Sequence, residues 1–492
     1  MAQFPSSYRQ IFKATSIFGG VQVVNILIGI IRSKFVAVLL GPLGMGVMGL
    51  LNSTLSVLTA ATNFGLGTSA VRDIADADNS GNSDKVTETI SIFRRLVWLT
   101  GLLGMVLTLL LSPWLSKITF GNYDYTFAFI LLSITLLIGQ LSVGQAALLQ
   151  GLRKIKWMAK ANIIGVTIGL ITSLPLYYFY GIKGIVPAFI VSAVSGLIIN
   201  NFYANKVKIK TIRLSFGQAF KKGNPMMTLG FMLSLAGFIT IANSYFIRIF
   251  ISNTGSVDDV GLFTSGFTII STYVGMVFTA MATDYYPRLS GVFHNTEKAN
   301  QLINEQAEVA ILILSPLICL FMIFIQWVII ILYSRQFLPI VEMVHFAIFG
   351  IYFQGLSWAM AFLILARGDT HAFFWNELAA NIYVFVFNCL GYYLDGLRGL
   401  GIGFLFGHLV YMIQIYFFIS IKYQFHFKTE LLKISSINVF LGLICYVVYF
   451  LLSGITMYLL GSIIIAVNAG LSLYWINKKV DFLSYLQIRL KR

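Results

Sequence analysis

Apolar stretches of about 20 residues, the length a helix needs to cross hydrocarbon, alternate along the chain with short polar connections. They fall at roughly 12–40, 43–64, 91–112, 125–149, 160–180, 184–204, 225–252, 261–283, 307–333, 343–366, 372–394, 399–421, 434–452 and 456–476. The pattern predicts about fourteen transmembrane helices and no strands. A repeat groups them. The segment from Arg32 to Ala75 returns in degenerate form from Ile247, with Arg32 matching Arg248, Gly46 matching Gly261 and Arg72 matching Arg288 at offsets of 215 to 216. Gly151 against Gly368 and Gly184 against Gly399 continue the register at 217 and 215. The expected organisation is therefore an N-terminal six-helix lobe over 1–210, a C-terminal six-helix lobe over 211–428 that repeats it, and 429–492 with two additional helices and a basic tail. Internal duplication with sites at the repeat interface is how many secondary transporters are built.

The polar positions inside the runs carry the candidate chemistry. Gln22, Asn25, Gly29 and Arg32 recur at spacings of three, four and three, which is one face of a helix. Phe35 to Leu40 follow without a polar residue, so Arg32 lies inside the apolar zone, where an arginine costs roughly 2.5–3.5 kcal/mol on insertion scales. Two arrangements offset that cost: a cavity or anionic ligand facing the guanidinium, or snorkelling to the headgroups. Lys34, about 200° further round the helix, is expected to snorkel. In the seventh run Ser234, Gly237, Ser244 and Arg248 share a face, with Arg248 nearer the end. Asp284 is the only carboxylate placed near the inside of a span, four residues before Arg288 and so within pairing reach. Asn63 closes the second run. Gln140, Gln145 and Gln150 either line a cavity or bond between helices, and His408 is expected to bond between helices. The last two runs hold almost no charge and are expected to be a peripheral, lipid-facing addition.

Composition agrees with the pattern. The 492 residues are 58% hydrophobic and 11% charged, far below the 25% or so of soluble domains. Of the 34 Lys and Arg, 27 fall in one set of connections and 7 in the other, which by the positive-inside rule makes both termini cytoplasmic. The net charge of +16 is thereby read as juxtamembrane clusters attracted to anionic lipid headgroups, not as a nucleic-acid surface. Cys319, Cys389 and Cys445 all lie in apolar runs and are expected to be packed thiols. Residues 1–13 lead directly into a long helix without a cleavage-site pattern, so a retained first helix is expected. Walker, H-E-x-x-H and G-x-S-x-G motifs are absent, and no enzyme activity, cofactor or metal is expected.

The runs SKFVAVLLGPLGMGVMGLLNS (33–53), FGLGTSAVRDIAD (64–76) and YYPRLS (285–290) resemble the polysaccharide-biosynthesis transporters, lipid-linked oligosaccharide flippases of the O-antigen translocase type, within the multidrug/oligosaccharidyl-lipid/polysaccharide flippase superfamily. The resemblance covers nearly the whole chain. It implies an all-α protein with two six-helix bundles around a central cavity. That cavity opens alternately to either side and moves an undecaprenyl-pyrophosphate-linked oligosaccharide across the bacterial inner membrane. The fourteen helices exceed the twelve of many such translocases. A pyrophosphate suits arginine's planar fork, so Arg32 and Arg248 are expected to face each other across the cleft. Arg72 and Arg288 are expected at the cytoplasmic mouth, with Gln22, Asn25 and Asn63 as sugar contacts. Asp284 is the candidate for a coupling ion, H+ or Na+. Membrane lipids and polysaccharide polymerase or ligase machinery are the expected partners. Two rivals remain. A multidrug or cation exporter of the same superfamily would need embedded carboxylates, and a membrane polymerase or ligase would need a sizeable external loop, whereas the outer connections here are short.

Overall fold

The computed structural model describes residues 6–207, 212 and 214–480, with the side chains of 6–19, 273, 283 and 480 outside that description. Residues 208–211 and 213 of the basic connection over 205–224, and the tail beyond 480, therefore lie outside it. The described residues are helical with turns between, and eleven helical stretches are long and apolar enough to cross a membrane. Three of these span 43, 51 and 54 residues, about twice the length one crossing needs, and each breaks near its middle. Each half coincides with one of the apolar runs read from the sequence.

The breaks follow from backbone chemistry. α1 (Ser6–Thr62) kinks at Gly41, whose φ of 65° favours glycine, and Pro42 follows without an N–H to donate. α5 (Ile155–Tyr180) and α6 (Ile185–Asn205) are separate helices joined by a 3-10 turn over Gly181–Gly184. α12 (Thr370–Tyr423) breaks at Asp395 and Gly396.

The chain forms two compact units, 1–261 and 262–492. In the first, α2 (Leu66–Asn79) is a short amphipathic helix that buries Leu66, Ser69, Ala70, Ile74 and Ala77. It packs on α3 (Ser83–Phe120), α4 (Thr126–Gly151) and α7 (Phe216–Thr254). The polar segment 76–88 is thus mostly helix, broken only by the turn over 80–82. Asn82 caps α3 by accepting from the Asp84 and Lys85 backbone N–H groups, and Ser215 with Gln218 makes a capping box for α7. α7 packs on α1, α2 and α3 and so belongs to this unit.

The unit boundary falls within α8 (Val257–Thr268), which runs into a π-helical turn, Ile269–Val274, before α9 (Met276–Val292). α10 (Thr296–Leu332) is among the most buried helices of the second unit. Against it pack α11 (Val341–Ala366), α13 (Thr429–Leu451) and α14 (Gly454–Val480). Helices α13 and α14 are not merely peripheral. Asn468 Nδ2 donates to Ser315 Oγ at 2.8 Å and to Asn438 Oδ1 at 3.2 Å, and Tyr352 Oη donates to the Asn438 carbonyl at 3.1 Å. At one end of the same helices, Lys479 pairs with the buried Glu308 and lies 3.7 Å from Glu430. Two of the three cysteines also meet in this unit, as Cys319 of α10 contacts the Cys445 thiol of α13.

The repeat is visible in the backbone at an offset of 215. Gly181 and Gly396 (396 − 181 = 215) adopt φ/ψ of 56°/−134° and 54°/−135°. A Cβ on Gly184 would lie 2.2 Å from the Leu176 carbonyl oxygen, and one on Gly399 1.8 Å from that of Gly391. α4 and α11 end in matching Schellman turns. Lys154 N–H donates to the Leu149 carbonyl and Asp369 N–H to that of Ile364, with Arg153 and Gly368 left-handed. The register there is thus Arg153 to Gly368, not Gly151 to Gly368. The arginine pair Arg72/Arg288 is one residue further apart, at 216. A π turn, which adds a residue to a helix, lies between Gly261 and Arg288, although Arg32 and Arg248, before it, are 216 apart as well.

Candidate substrate-binding residues

Arg32, on the polar face of α1, is directed towards α5 and α6. Arg32 Nη2 donates to Tyr177 Oη at 3.3 Å, and the guanidinium carbon stands 6.0 Å from the centroid of Phe189. Tyr177 is itself fully buried. Arg32 Nε is buried with no hydrogen-bond partner among the described residues, and so is Asn25 Oδ1 two turns earlier. A buried polar atom left unpaired costs about 1–3 kcal/mol. One orphaned donor and one orphaned acceptor on the same helix face are what a polar, anionic ligand would satisfy. Gln22, at the same face, is exposed.

Arg248 lies in the same compact unit as Arg32, because α7 packs on α1, α2 and α3. Its Nη1 donates to the Ser244 carbonyl at 2.8 Å and to the Ser244 hydroxyl, one turn earlier on its own helix. The i, i+4 spacing read in the sequence produces this contact. The two arginines therefore draw on different surroundings, Arg32 on aromatic rings of α5 and α6 and Arg248 on the preceding turn of α7.

Arg72 and Arg288 each carry a carboxylate on their own helix. Arg72 donates through Nε and Nη2 to Asp73 Oδ1 at 3.1 and 3.0 Å. Arg288 Nη1 donates to Asp284 Oδ2 at 3.1 Å, which is the i, i+4 pair expected from the sequence. Both arginines are exposed, and exposed pairs of this kind contribute only about 0–1 kcal/mol. Exchanging either carboxylate for another anion is correspondingly cheap. A coupling ion on Asp284 would have to compete with the Arg288 guanidinium. Asn63 acts locally on the backbone, because its Oδ1 accepts the Gly65 N–H at 2.9 Å and turns the chain from α1 into α2, with Gly65 at φ 59°.

Other polar residues divide between the two roles open to them. Gln140 Nε2 donates to Thr100 Oγ1 at 3.0 Å, a buried bond between α4 and α3. Gln145 instead lines a cleft. His408 has its ring 4.3 Å from that of Phe404, and its Nδ1 is buried without a partner among the described residues. The sequence pattern does not single out Tyr177, Phe189 or Arg94. Tyr177 is separated from Arg32 by 145 residues, and no local pattern links them.

The model of a family described as polysaccharide biosynthesis protein matches residues 35–342. No curated protein matches the sequence. Among solved structures, the chain is similar to a multidrug resistance MATE family transporter of the MOP superfamily in an inward-facing conformation, with 15% identity and TM-score 0.69 over 81% of this chain and 94% of that one. It is also similar to the lipid II flippase MurJ in an inward closed conformation, with 12% identity and TM-score 0.68 over 95% and 99%. A third is a MOP superfamily transporter from Pyrococcus furiosus, described as having a binding pocket of reverse polarity, with 16% identity and TM-score 0.55 over 84% and 96%. These likenesses show a shared all-helical transporter fold.

Proposed function

The chain belongs to the polysaccharide biosynthesis protein family, and from that premise we propose that it is a flippase for a lipid-linked oligosaccharide. The substrate is an undecaprenyl-pyrophosphate-linked repeat unit of O-antigen or a related polysaccharide, moved from the cytoplasmic to the outer leaflet of the bacterial inner membrane by alternating access. The observation that carries this reading is Arg32. It is a cation on a membrane-crossing helix, set against buried Tyr177, with its Nε unpaired among the described residues. Such a group favours a phosphate anion through charge-assisted hydrogen bonds. Arg248 supplies a second cation on α7, Arg72 and Arg288 exchangeable ones, and Gln22 and Asn25 polar contacts for sugar. An exporter of cationic drugs would need a carboxylate where this helix carries arginine.

In the same reading the N-terminal and C-terminal lobes of the repeat alternate around the site, H+ or Na+ couples at Asp284, and polymerase or ligase machinery takes the product. Both termini face the cytoplasm, supported by the 27 to 7 partition of Lys and Arg. A periplasm-only reporter fused after Arg492 should then be silent, and activity from an intact fusion would reverse the orientation. The functional test is complementation of a flippase-null strain, scored by surface polysaccharide, together with the location of undecaprenyl-linked glycan. Accumulation on the cytoplasmic face without this protein supports the reading. Normal polysaccharide without it, or glycosyl transfer by the purified protein, overturns it.

A further inference from the structure

A cleft of about 230 Å³ opens between α3, α4 and α6, on elements that the proposed transport site does not use except for α6. Arg94, Gln145, Asn201 and Asn205 supply its polar wall, and Val97 and Trp98 part of its apolar one. Arg94 Nε and Gln145 Oε1 are both buried without hydrogen-bond partners among the described residues. The nearest carboxylate along α3, Glu88, is taken by Lys222. The neighbouring cation, Arg95, stacks on Phe216 at 5.0 Å. Arg94 is thus a cation whose Nε donor is unused, beside an unused acceptor, in a space that is held open. Gly144 lets α3 and α4 pack closely beside the cleft, since a Cβ there would meet Val97 Cγ1 at 2.9 Å.

Depth identifies the ligand. α3 has 38 residues and is about 57 Å long at 1.5 Å per residue, whereas hydrocarbon is about 30 Å thick. Arg94 and Trp98 therefore sit near the level where α3 enters the apolar zone, and Asn205 is the last residue of α6. An aromatic beside a cation at that level marks the headgroup region. Of the two sources of a phosphate anion there, free phosphate has no use for an exposed indole and an apolar wall, while a phospholipid has. We propose that this cleft binds a membrane phospholipid. In it, the phosphate meets Arg94 with Asn201 and Asn205, a headgroup hydroxyl or ammonium donates to Gln145, and the acyl chains leave past Trp98. The site is independent of the transport reading and holds whatever the protein moves.

The test is native mass spectrometry of the full chain in detergent, titrated with phosphatidylglycerol, phosphatidylcholine or inorganic phosphate. Wild type should retain one phosphatidylglycerol more than Arg94→Gln, which should bind it at least tenfold more weakly. Phosphatidylcholine, lacking a donor for Gln145, should bind less well than phosphatidylglycerol. Equal retention by the two proteins overturns the site, and displacement of the lipid by millimolar phosphate overturns the lipid assignment. Should Arg94→Gln fail to fold, Asn205→Ala at the mouth of the cleft reads the same contact. A several-fold loss there supports the site, and unchanged retention overturns it.

Discussion

Gly46 and Gly261, equivalent positions of the repeat, make a reciprocal contact: a Cβ on Gly46 would lie 1.9 Å from the Val257 carbonyl oxygen, and one on Gly261 1.9 Å from that of Pro42. Pro42 and Val257 are themselves 215 residues apart, so each partner offers the other the same backbone atom. This is the self-complementarity of a two-fold contact, made within one chain by duplication. It explains why glycine stands at both positions. A methyl group cannot enter either contact without parting the start of α8 from the second half of α1.

Gly46→Ala and Gly261→Ala should each destabilise this arrangement by about 1–3 kcal/mol, the usual cost of overpacking. Because either substitution parts the same helices, the double variant should lose little more than one of them. Thermal unfolding of the detergent-solubilised full chain gives the cycle. Additive losses would show that the two glycines act separately.

The long apolar runs, the breaks at Gly41 and Gly181 and the repeat could all be read from the sequence, because each depends on local composition or on glycine where φ is positive. What could not be read depends on packing between distant segments. The Tyr177 hydroxyl meets Arg32 across 145 residues, and α7 is drawn to α1, α2 and α3 although the repeat assigns it to the second lobe. Helices α13 and α14 look peripheral in sequence because they carry little charge. What docks them includes a few uncharged amides, the hydroxyls of Tyr449 and Tyr458 and one charged residue, Lys479, near the end of α14, signals too sparse for a periodicity to reveal. Gln140 and Gln145 show the limit most directly, since on one helix, little more than a turn apart, they take opposite roles.

Arg32→Leu should separate stability from function. The substitution removes an embedded charge and its unpaired Nε, so membrane insertion and thermal stability should be unchanged or improved. Transport should fall severely, by the loss of a charge-assisted contact worth roughly 1.5–3 kcal/mol. Arg32→Lys should recover only part, since it keeps the charge and loses the fork. Tyr177→Phe, which deletes the hydroxyl and keeps the ring, should cost less than either. Surface polysaccharide normalised to membrane protein level is the readout. Wild-type transport by Arg32→Leu would mean that the side chain merely reaches the headgroups.

Asp369 joins the turn before α12 to the far end of that helix: its carboxylate accepts from Lys422 Nζ, from Tyr423 Oη at 2.8 Å and from the Ala372 N–H at 3.1 Å. The Lys422 hydrogen bond, with the other two, lowers its pKa to about 2. A depressed carboxylate stabilises the fold fully above its unfolded pKa, about 3.9, and the contribution disappears as pH falls through the folded value. Wild type should therefore lose thermal stability between about pH 4 and pH 2 more steeply than Asp369→Asn. The two should converge at the acid end, with the variant the less stable above about pH 5. Parallel curves across that window would show that the carboxylate does not hold the turn.

The sharpest stability prediction concerns Glu308, a carboxylate 3% exposed on α10, and its partner Lys479 on α14. Removing one member of a buried pair leaves a charge without compensation and costs about 3–5 kcal/mol, whereas replacing both with groups of similar volume is often neutral. Lys479→Met should therefore be the damaging change, because it strands Glu308. Glu308→Gln should be milder, since Lys479 is partly exposed and keeps Glu430 at 3.7 Å. The double variant should be more stable than Lys479→Met alone, an ordering that simple loss of contacts would not produce. The same reasoning predicts that truncation after residue 428, which strips Lys479 from Glu308 and Asn438 and Asn468 from Ser315 and Tyr352, destabilises the second unit and does not leave transport intact. Thermal unfolding of the full-length variants in detergent measures the ordering. A double variant no better than Lys479→Met would mean that Glu308 is neutral in the fold and that α14 is held by its uncharged contacts alone.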